Sequence, residues 1–445
     1  MRKLFSVFML IAALFSMTLF CRADEAEQLK FSVSAEPTGM EWSICDGVRY
    51  TKQTFADGGR VTIRCEEDIA ALYLIWDAPA PEKTAVLSGG SITISENGFI
   101  HDFIPLKAAA KEATISFEGA AALCDIYAFS AGETPDWVQT WQKSDEPCDI
   151  LFLPTHADDE MLYFGGAMAL ATERESEIQV AYMVNHNGEY YRPHELLNGL
   201  WELGVRRYPV IPHFPDIYSW SHEHAKTIYD ENEILCYQIE LIEKFKPQII
   251  IGHDLKGEYG HGAHILNAYC LLDAIEQAEW QTKKLYLHLY NDNAIVLDGD
   301  KPLEKFGEAT VFEMAQRGFA CHKSQQQFFE VEQTGPYDMR KFGLYRSLVG
   351  ADSSNDIFEN ITLYRDAPKA KPEPVIEPEP AAESTEPIPE PVSSEPVLPN
   401  AEKEMILPEA KNDFAFIYIG SVTAAVFTFA LIFVIAITIF LKKRR

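Results

Sequence analysis

Basic side chains are scarce in this sequence of 445 residues. It has 38 Lys and Arg against 67 Asp and Glu, a formal net charge of −29 at pH 7. Nucleic-acid phosphates are bound by clustered Lys and Arg, so this balance argues against nucleic acid as a partner. No repeat of about 20 to 50 residues is evident, which argues against a solenoid or propeller.

The eight cysteines include no CxxC pair. If the protein is exported, the candidates for disulfides are those of the N-terminal third: Cys45, Cys65, Cys124 and Cys148. Cys236 and Cys270 lie in apolar helical patterns, which are typical of buried thiols.

Long apolar runs are confined to the two ends of the sequence. Basic residues precede an apolar run at 4–20, and small residues follow near Ala23, so residues 1–23 are predicted to be a signal peptide. About 28 uncharged residues at 414–441 are long enough to span a membrane. The basic tail 442–445 is then expected in the cytoplasm. The sequence predicts a single-pass membrane protein with its ectodomain outside the cytoplasm, in a bacterial envelope.

Residues 24–145 have the pattern of an all-β domain. Short apolar or alternating runs are separated by Gly, Pro, Asn and Asp, which indicates a β-sandwich. Residues 125–137 resemble the last strand of galactose-binding-like jelly rolls, so we expect an accessory domain. Its aromatic residues Trp42, Tyr50 and Trp76 could stack on sugar rings, but core packing is the favoured interpretation.

Residues 146–365 alternate between strand and helix patterns. Such alternation predicts an α/β, Rossmann-like, mostly parallel sheet with helices on both faces. A site in such a sheet lies at the carboxyl ends of the strands, here after Leu153, Val184 and Ile251. Residues 366–412 are rich in Pro and Glu, which predicts a disordered linker.

Two polar segments follow predicted strands: residues 155–160 (THADDE) and 257–264 (GEYGHGAH). Hydrolytic zinc takes about three His and carboxylate ligands, and a further carboxylate must stay off the metal to accept a proton from water. The two segments supply these groups. A structural alternative stays open, because Thr155 or Asp158 could simply cap the following helix.

The HADDE segment resembles the His-Pro-Asp-Asp-Glu signature of the PIG-L/LmbE-like N-deacetylase family, with Ala157 in place of Pro. Further matches follow in chain order: Arg192-x-x-Glu195 with Leu203-Gly204-Val205, Phe214-Pro215-Asp216, Gly260-His261-x-x-His264 and His322-x-Ser324-Gln325. The resemblance covers about residues 148–365. It implies that one Zn²⁺ per chain is bound by three residues, His156, Asp159 and His264.

The same resemblance implies roles for five other residues. Asp158 would be the general base, and His261 would act as an acid or oxyanion partner. Tyr259 would help to stabilise the intermediate. Arg192 and Asp216 would contact the sugar.

The sequence therefore predicts a membrane-anchored, exported, zinc-dependent N-deacetylase acting on an N-acetylated amino sugar or glycoconjugate. The C-terminal helix would supply its membrane contact. Two alternatives stay open: a zinc amidohydrolase of a non-sugar amide, and a catalytically inert surface protein that binds glycans. The complete set of His156, Asp158, Asp159 and His264 argues against an inert domain.

Overall fold

The computed structural model describes residues 25–79, 83–87, 90–94, 97–186 and 188–367. Clustering of contacts divides the chain into two units, 1–370 and 371–445. The predicted signal peptide, the C-terminal span, its basic tail and nearly all of the linker lie outside the described residues.

The described residues contain fifteen strands and seven α-helices. The strands are β1 (Phe31–Glu36), β2 (Gln53–Phe55), β3 (Arg60–Trp76), β4 (Lys83–Leu87), β5 (Gly90–Ile94), β6 (His101–Ser116), β7 (Ala121–Phe129), β8 (Ile150–Phe152), β9 (Ile178–Val180), β10 (Ile249–Gly252), β11 (Lys284–His288), β12 (Ala294–Val296), β13 (Pro302–Leu303), β14 (Ala309–Thr310) and β15 (Lys341–Ser347). The helices are α1 (Asp159–Leu162), α2 (Gly165–Glu173), α3 (Arg192–Glu202), α4 (His222–Ile228), α5 (Glu231–Phe245), α6 (Gly262–Gln277) and α7 (Val311–Ala320).

The N-terminal region forms one seven-stranded antiparallel sheet. Its order is β2-β7-β3-β6-β4-β5, and β1 also pairs with β3. In the first half of β3, Val61 and Ile63 are buried between less buried neighbours, whereas residues 72–76 are all buried. Both faces of the second half are therefore covered. Because all seven strands are hydrogen-bonded into one sheet, the predicted two-sheet sandwich is unconfirmed.

The second sheet is mixed, in the order β12-β15-β11-β10-β8-β9. Strands β9, β8, β10 and β11 are parallel, and β15 and β12 add an antiparallel edge. The prediction of an α/β sheet that is mostly parallel is confirmed. The carboxyl ends of all four parallel strands meet at one edge, and this edge holds the candidate site.

Alternating side chains explain why helices cover both faces of this sheet. Ile150 and Phe152 of β8 belong to a core cluster with α2, α3 and α7. Leu151 of the same strand belongs to another cluster, with α5 and α6. Successive strand residues point to opposite faces, so the almost fully apolar strands require helices on each side.

For the described residues, the prediction of a single-pass membrane protein with an external ectodomain is wrong. The longest of their helices, α6, has 16 residues, whereas a membrane span needs about 20 apolar residues. None of the described helices is long and apolar enough to cross a membrane.

The cysteine and aromatic predictions are partly wrong. All seven cysteines of the described part of the chain are free thiols, so the proposed disulfides are not formed; Cys270 is buried, but Cys236 is exposed. Trp76 is buried as expected, whereas the side chains of Trp42 and Tyr50 are 59% and 61% exposed.

Candidate metal and catalytic site

Three predicted metal ligands meet in space. His156 Nδ1 lies 3.1 Å from both Asp159 Oδ2 and His264 Nε2, and those two atoms are also 3.1 Å apart. All three side chains are at least nine-tenths buried. Zinc bonds of about 2.0–2.2 Å place tetrahedral ligand atoms roughly 3.3–3.6 Å apart, so the donor atoms and their spacing fit a zinc ion.

The segment of residues 155–160 follows β8 and presents one part of the site. Asp158 occupies the position before α1, but its side chain makes no capping hydrogen bond. Thr155 accepts a hydrogen bond from Asn267 instead. Asp158 has a φ of 131°, a strained conformation for a residue with a side chain, and strain of this kind clusters at functional sites. The alternative in which these residues only cap the helix is therefore not supported.

The two neighbouring aspartates have opposite pKa shifts. Burial and the charge of Asp159 raise the pKa of Asp158 well above its ordinary value. Burial alone would also raise the pKa of Asp159, but His264 and His156 hold it well below the ordinary value. Such a separation suits one carboxylate that binds a cation and another that accepts a proton.

Glu258 supports the second segment from beneath. It is fully buried, and its Oε2 lies 2.8 Å from Nδ1 of both His253 and His264. Its Oε1 lies 2.7 Å from Nδ1 of His288. Burial would raise the pKa of Glu258, but His253 and the hydrogen bonds of all three histidines hold it well below its ordinary value. An ionised Glu258 orients His264 so that its Nε2 faces the candidate metal position.

His261 directly precedes α6 and faces the same site. Its Nδ1 accepts a hydrogen bond from the Ala263 N–H, and its ring lies 4.6 Å from that of His156. Burial and the neighbouring His156 and His264 lower the pKa of His261 to about 2. In this environment His261 is neutral, so it can donate a hydrogen bond only through Nε2–H.

Tyr259 stands at the mouth of the site. Its side chain is 42% exposed, and its ring centroid lies 5.6 Å from that of His261. Burial of the phenol and the charge of Asp159 raise its pKa. Tyr259 therefore keeps its proton and remains a hydrogen-bond donor.

The two predicted sugar-binding residues flank the other side of His156. Arg192 donates a hydrogen bond to the Ala157 carbonyl and lies 3.5 Å from Asp158 Oδ1. Asp216 Oδ1 lies 3.6 Å from His156 Nε2. Burial would raise the pKa of Asp216, but its contacts with His186 and His156 lower it to about 2. A cationic and an anionic side chain thus lie beside the 156–158 segment.

The motif His322-x-Ser324-Gln325 lies beneath the site. His322 is fully buried, with Nε2 2.8 Å from Glu160 Oε1, and Glu160 accepts a hydrogen bond from the Asp158 N–H. Ser324 donates its hydroxyl to Glu195 at 2.6 Å. These contacts hold α3 and the 155–160 segment together, so this motif has a structural role in the described residues.

The sequence alone indicated no role for Glu258, His288 or His186. Two signals were present. Glu258 lies within the 257–264 motif, and His288 is the last residue of β11. A histidine lies at the carboxyl end of each of the four parallel strands, or within six residues after it: His156, His186, His253 and His288.

Residues 151–275 match the family model described as PIG-L: GlcNAc-PI de-N-acetylase. A 1D-myo-inositol 2-acetamido-2-deoxy-alpha-D-glucopyranoside deacetylase of Mycobacterium sp. (strain KMS) is 27% identical, over 31% of this chain and 53% of its own length. The enzyme of the same name from Mycobacteroides abscessus is 28% identical, over 31% and 58%. This chain therefore spans just over half the length of these curated relatives.

Among solved structures, the N,N'-diacetylchitobiose deacetylase of Pyrococcus horikoshii aligns with a TM-score of 0.32 and 13% identity, over 40% of this chain and 71% of that one. The family model covers β8 through most of α6, and thus both segments that supply the candidate metal ligands. The predicted family resemblance is confirmed over residues 151–275, the stretch that matches the PIG-L family model.

Proposed function

We propose that this protein is a zinc-dependent N-deacetylase that hydrolyses the acetamide of an N-acetylated amino sugar or glycoconjugate. One observation carries the proposal. Three donor atoms, from His156, Asp159 and His264, lie 3.1 Å from one another beside a second carboxylate, Asp158, whose pKa is shifted in the opposite direction. The names of the relatives support the substrate class.

The proposed ligand set is His156, Asp159 and His264. Bound zinc would supply Lewis acidity, which lowers the pKa of water and polarises an amide carbonyl. Asp159 would bring a negative charge to the metal, because its carboxyl is ionised in this environment. Glu258 would hold His264 by its Nδ1, which leaves Nε2 free for ligation.

Asp158 is the proposed general base. Its raised proton affinity favours acceptance of a proton from the attacking water. His261 Nε2–H and the Tyr259 hydroxyl are the proposed donors to the oxyanion that develops on the amide oxygen. Asp158 then delivers the proton to the leaving nitrogen, which gives a free amine and acetate.

Arg192 and Asp216 are the proposed sugar contacts. Their positions beside His156 would place a sugar ring next to the scissile amide. Holding the amide in a fixed orientation to the base can remove a large part of the activation free energy of reactions of this kind.

The test is acetate release by the full-length protein. N-acetylglucosamine, an N-acetylglucosaminyl inositol and N-acetyl-lysine represent free sugar, glycoconjugate and non-sugar amide. We expect acetate and primary amine in equal amounts from the sugars, loss of release after chelation and recovery with Zn²⁺. Release from N-acetyl-lysine alone would favour the non-sugar amidohydrolase. No release from any substrate by zinc-loaded protein would contradict the proposal.

A further inference from the structure

A cavity of about 700 Å³ opens between the N-terminal region and the α/β region. The N-terminal wall includes Asp77, Ala78 and Pro79, which follow β3, and Ile100, which precedes β6. These residues lie outside the stretch that matches the PIG-L family model. The cavity is therefore built partly by a region that this match does not include.

The opposite wall adjoins the candidate catalytic site. It includes His186, and also Pro193 and Leu196 at the start of α3. His186 Nε2 accepts a hydrogen bond from the Ala157 N–H at 2.8 Å, and its Nδ1 lies 3.1 Å from Asp216 Oδ2. The rings of His186 and His156 are 6.5 Å apart. One imidazole thus separates the cavity from a proposed metal ligand.

Among the described residues that line the cavity, those with a charged side chain are Lys52 and Asp77. Lys52 Nζ lies 2.7 Å from Asp77 Oδ2, so the two charges at this wall form an ion pair. Burial lowers the pKa of His186, which favours its neutral form. The other lining residues are Gly, Ala, Pro, Val, Ile, Leu and Tyr. A charged ligand would gain little from this surface, whereas an apolar one would bury area against it.

Two exposed tyrosines stand where the two regions meet. Tyr190 lines the cavity and is 49% exposed, and Tyr50 of the N-terminal region is 61% exposed. Their ring centroids are 6.4 Å apart. Exposed aromatic rings beside an apolar cavity provide flat faces for a ring of the ligand.

The positions of these groups indicate how a substrate would be oriented between the proposed metal ligands and the cavity. Asp216 contacts both His156 and His186, of which His186 lines the cavity, and Pro193 of the cavity directly follows Arg192. An amino sugar with its amide at the metal ligands and its ring at Arg192 and Asp216 has its far substituent directed at the cavity. We infer that the cavity binds the aglycone of the substrate, and that this aglycone is uncharged and apolar; the inference rests on the proposed function.

Three glycosides test the inference: phenyl N-acetyl-β-D-glucosaminide, N-acetylglucosamine and N-acetylglucosamine 1-phosphate. We expect the full-length protein to favour the phenyl glycoside over the free sugar in kcat/KM by roughly tenfold or more, as apolar subsites do, and to disfavour the phosphate. Ala78 is exposed in the cavity wall, so Ala78→Trp should fill the cavity and remove the preference. Ala120 is an exposed alanine before β7 that does not line the cavity, so Ala120→Trp should keep the preference. Tyr190→Ala should reduce the preference without filling the cavity.

Binding separates this inference from the proposed function. Calorimetry of metal-free protein with the phenyl glycoside needs no turnover, and Ala78→Trp should weaken this binding about tenfold. If acetate is released but the phenyl and free sugars react equally in every variant, the inference is wrong and the deacetylase stands. If no acetate is released but Ala78→Trp weakens binding, the cavity assignment stands and the deacetylase is wrong. Absence of phenyl glycoside binding would overturn the inference.

Discussion

The two sheets of this protein differ in what they bury. In the described part of the antiparallel region, the buried carboxylates and imidazoles are Asp125 and His101. The α/β region buries many more ionisable groups, and most of them surround the carboxyl ends of its parallel strands: His156, Asp158, Asp159, Glu160, His186, Arg192, His253, Glu258, His261, His264 and His288.

This difference follows from the cost of burying charge. An isolated buried ion is expensive, so such groups persist only where they are paired or bind a cation. The core of the N-terminal sheet is built mainly of apolar residues. The α/β region instead holds a charge network that lowers stability unless its partners are complete. The comparison therefore supports the second sheet as the place of the proposed chemistry, and the proposed aglycone site lies at its boundary with the first.

The largest expected effect comes from removing a ligand of the network. Asp159→Ala should abolish both metal binding and acetate release, because Asp159 Oδ2 is shared by His156 and His264. Metal content by mass spectrometry and acetate release measure this outcome. Asp273→Ala, at an exposed position of α6, is the matched control and should keep both properties. Full zinc content in Asp159→Ala would contradict the ligand assignment.

A smaller loss is expected at the neighbouring carboxylate. Asp158→Asn should keep the metal but lose about 10²–10⁴ in kcat, the usual contribution of a general base. The amide has the same shape but cannot accept the proton. Zinc content and kcat measured on the same preparation separate the two aspartates. An Asp158→Asn variant with full activity, or one without metal, would contradict the assignment of Asp158 as general base and Asp159 as metal ligand.

Glu258→Gln should have a smaller effect than either aspartate substitution, because Glu258 contacts the proposed ligand His264. Glu258→Gln should weaken zinc binding by about 10- to 100-fold, as loss of a partner of a metal-bound histidine usually does. Activity should then return at high zinc concentration. A competing chelator measures the affinity, and exposed Glu240→Gln is the control. Unchanged affinity would show that Glu258 does not position His264.

The candidate ligands could be predicted from the sequence because they lie in two short segments that directly follow apolar strands. The contacts of Glu258 could not, since His253, His264 and His288 reach it from three parts of the chain. The φ of Asp158 was equally hidden, because nothing in the residue type requires a positive value.

The N-terminal region shows another limit. Residues 60–64 and 71–76 read as two strands separated by the polar residues 66–68, but β3 runs through all of them. The register of β3 with β6 shifts between Arg64 and Ile69, so the polar residues are accommodated by an irregularity. Pairing with β6 thus overrides the local break, and no short sequence window contains that information.

The boundary between the two regions gives the smallest predicted effect. His194 of α3 lies 2.9 Å from His101 Nε2 of β6, and both rings are buried. Burial, followed by the charge of Arg49, lowers the pKa of His194 to about 3. The unfolded chain takes up this proton near pH 6.5, whereas the folded protein does not.

The contribution of His194 to stability should therefore be complete above about pH 6.5 and lost as the pH falls towards 3. From pH 7 to pH 5 this single group should remove about 2 kcal/mol from the free energy of unfolding. Urea unfolding at several pH values measures how the free energy of unfolding changes with pH. The His194→Gln variant should lack the part of this change that comes from His194. Exposed His213→Gln is the control and should keep the wild-type slope. Parallel curves for wild type and His194→Gln would mean that protonation at this boundary does not govern how the two regions hold together.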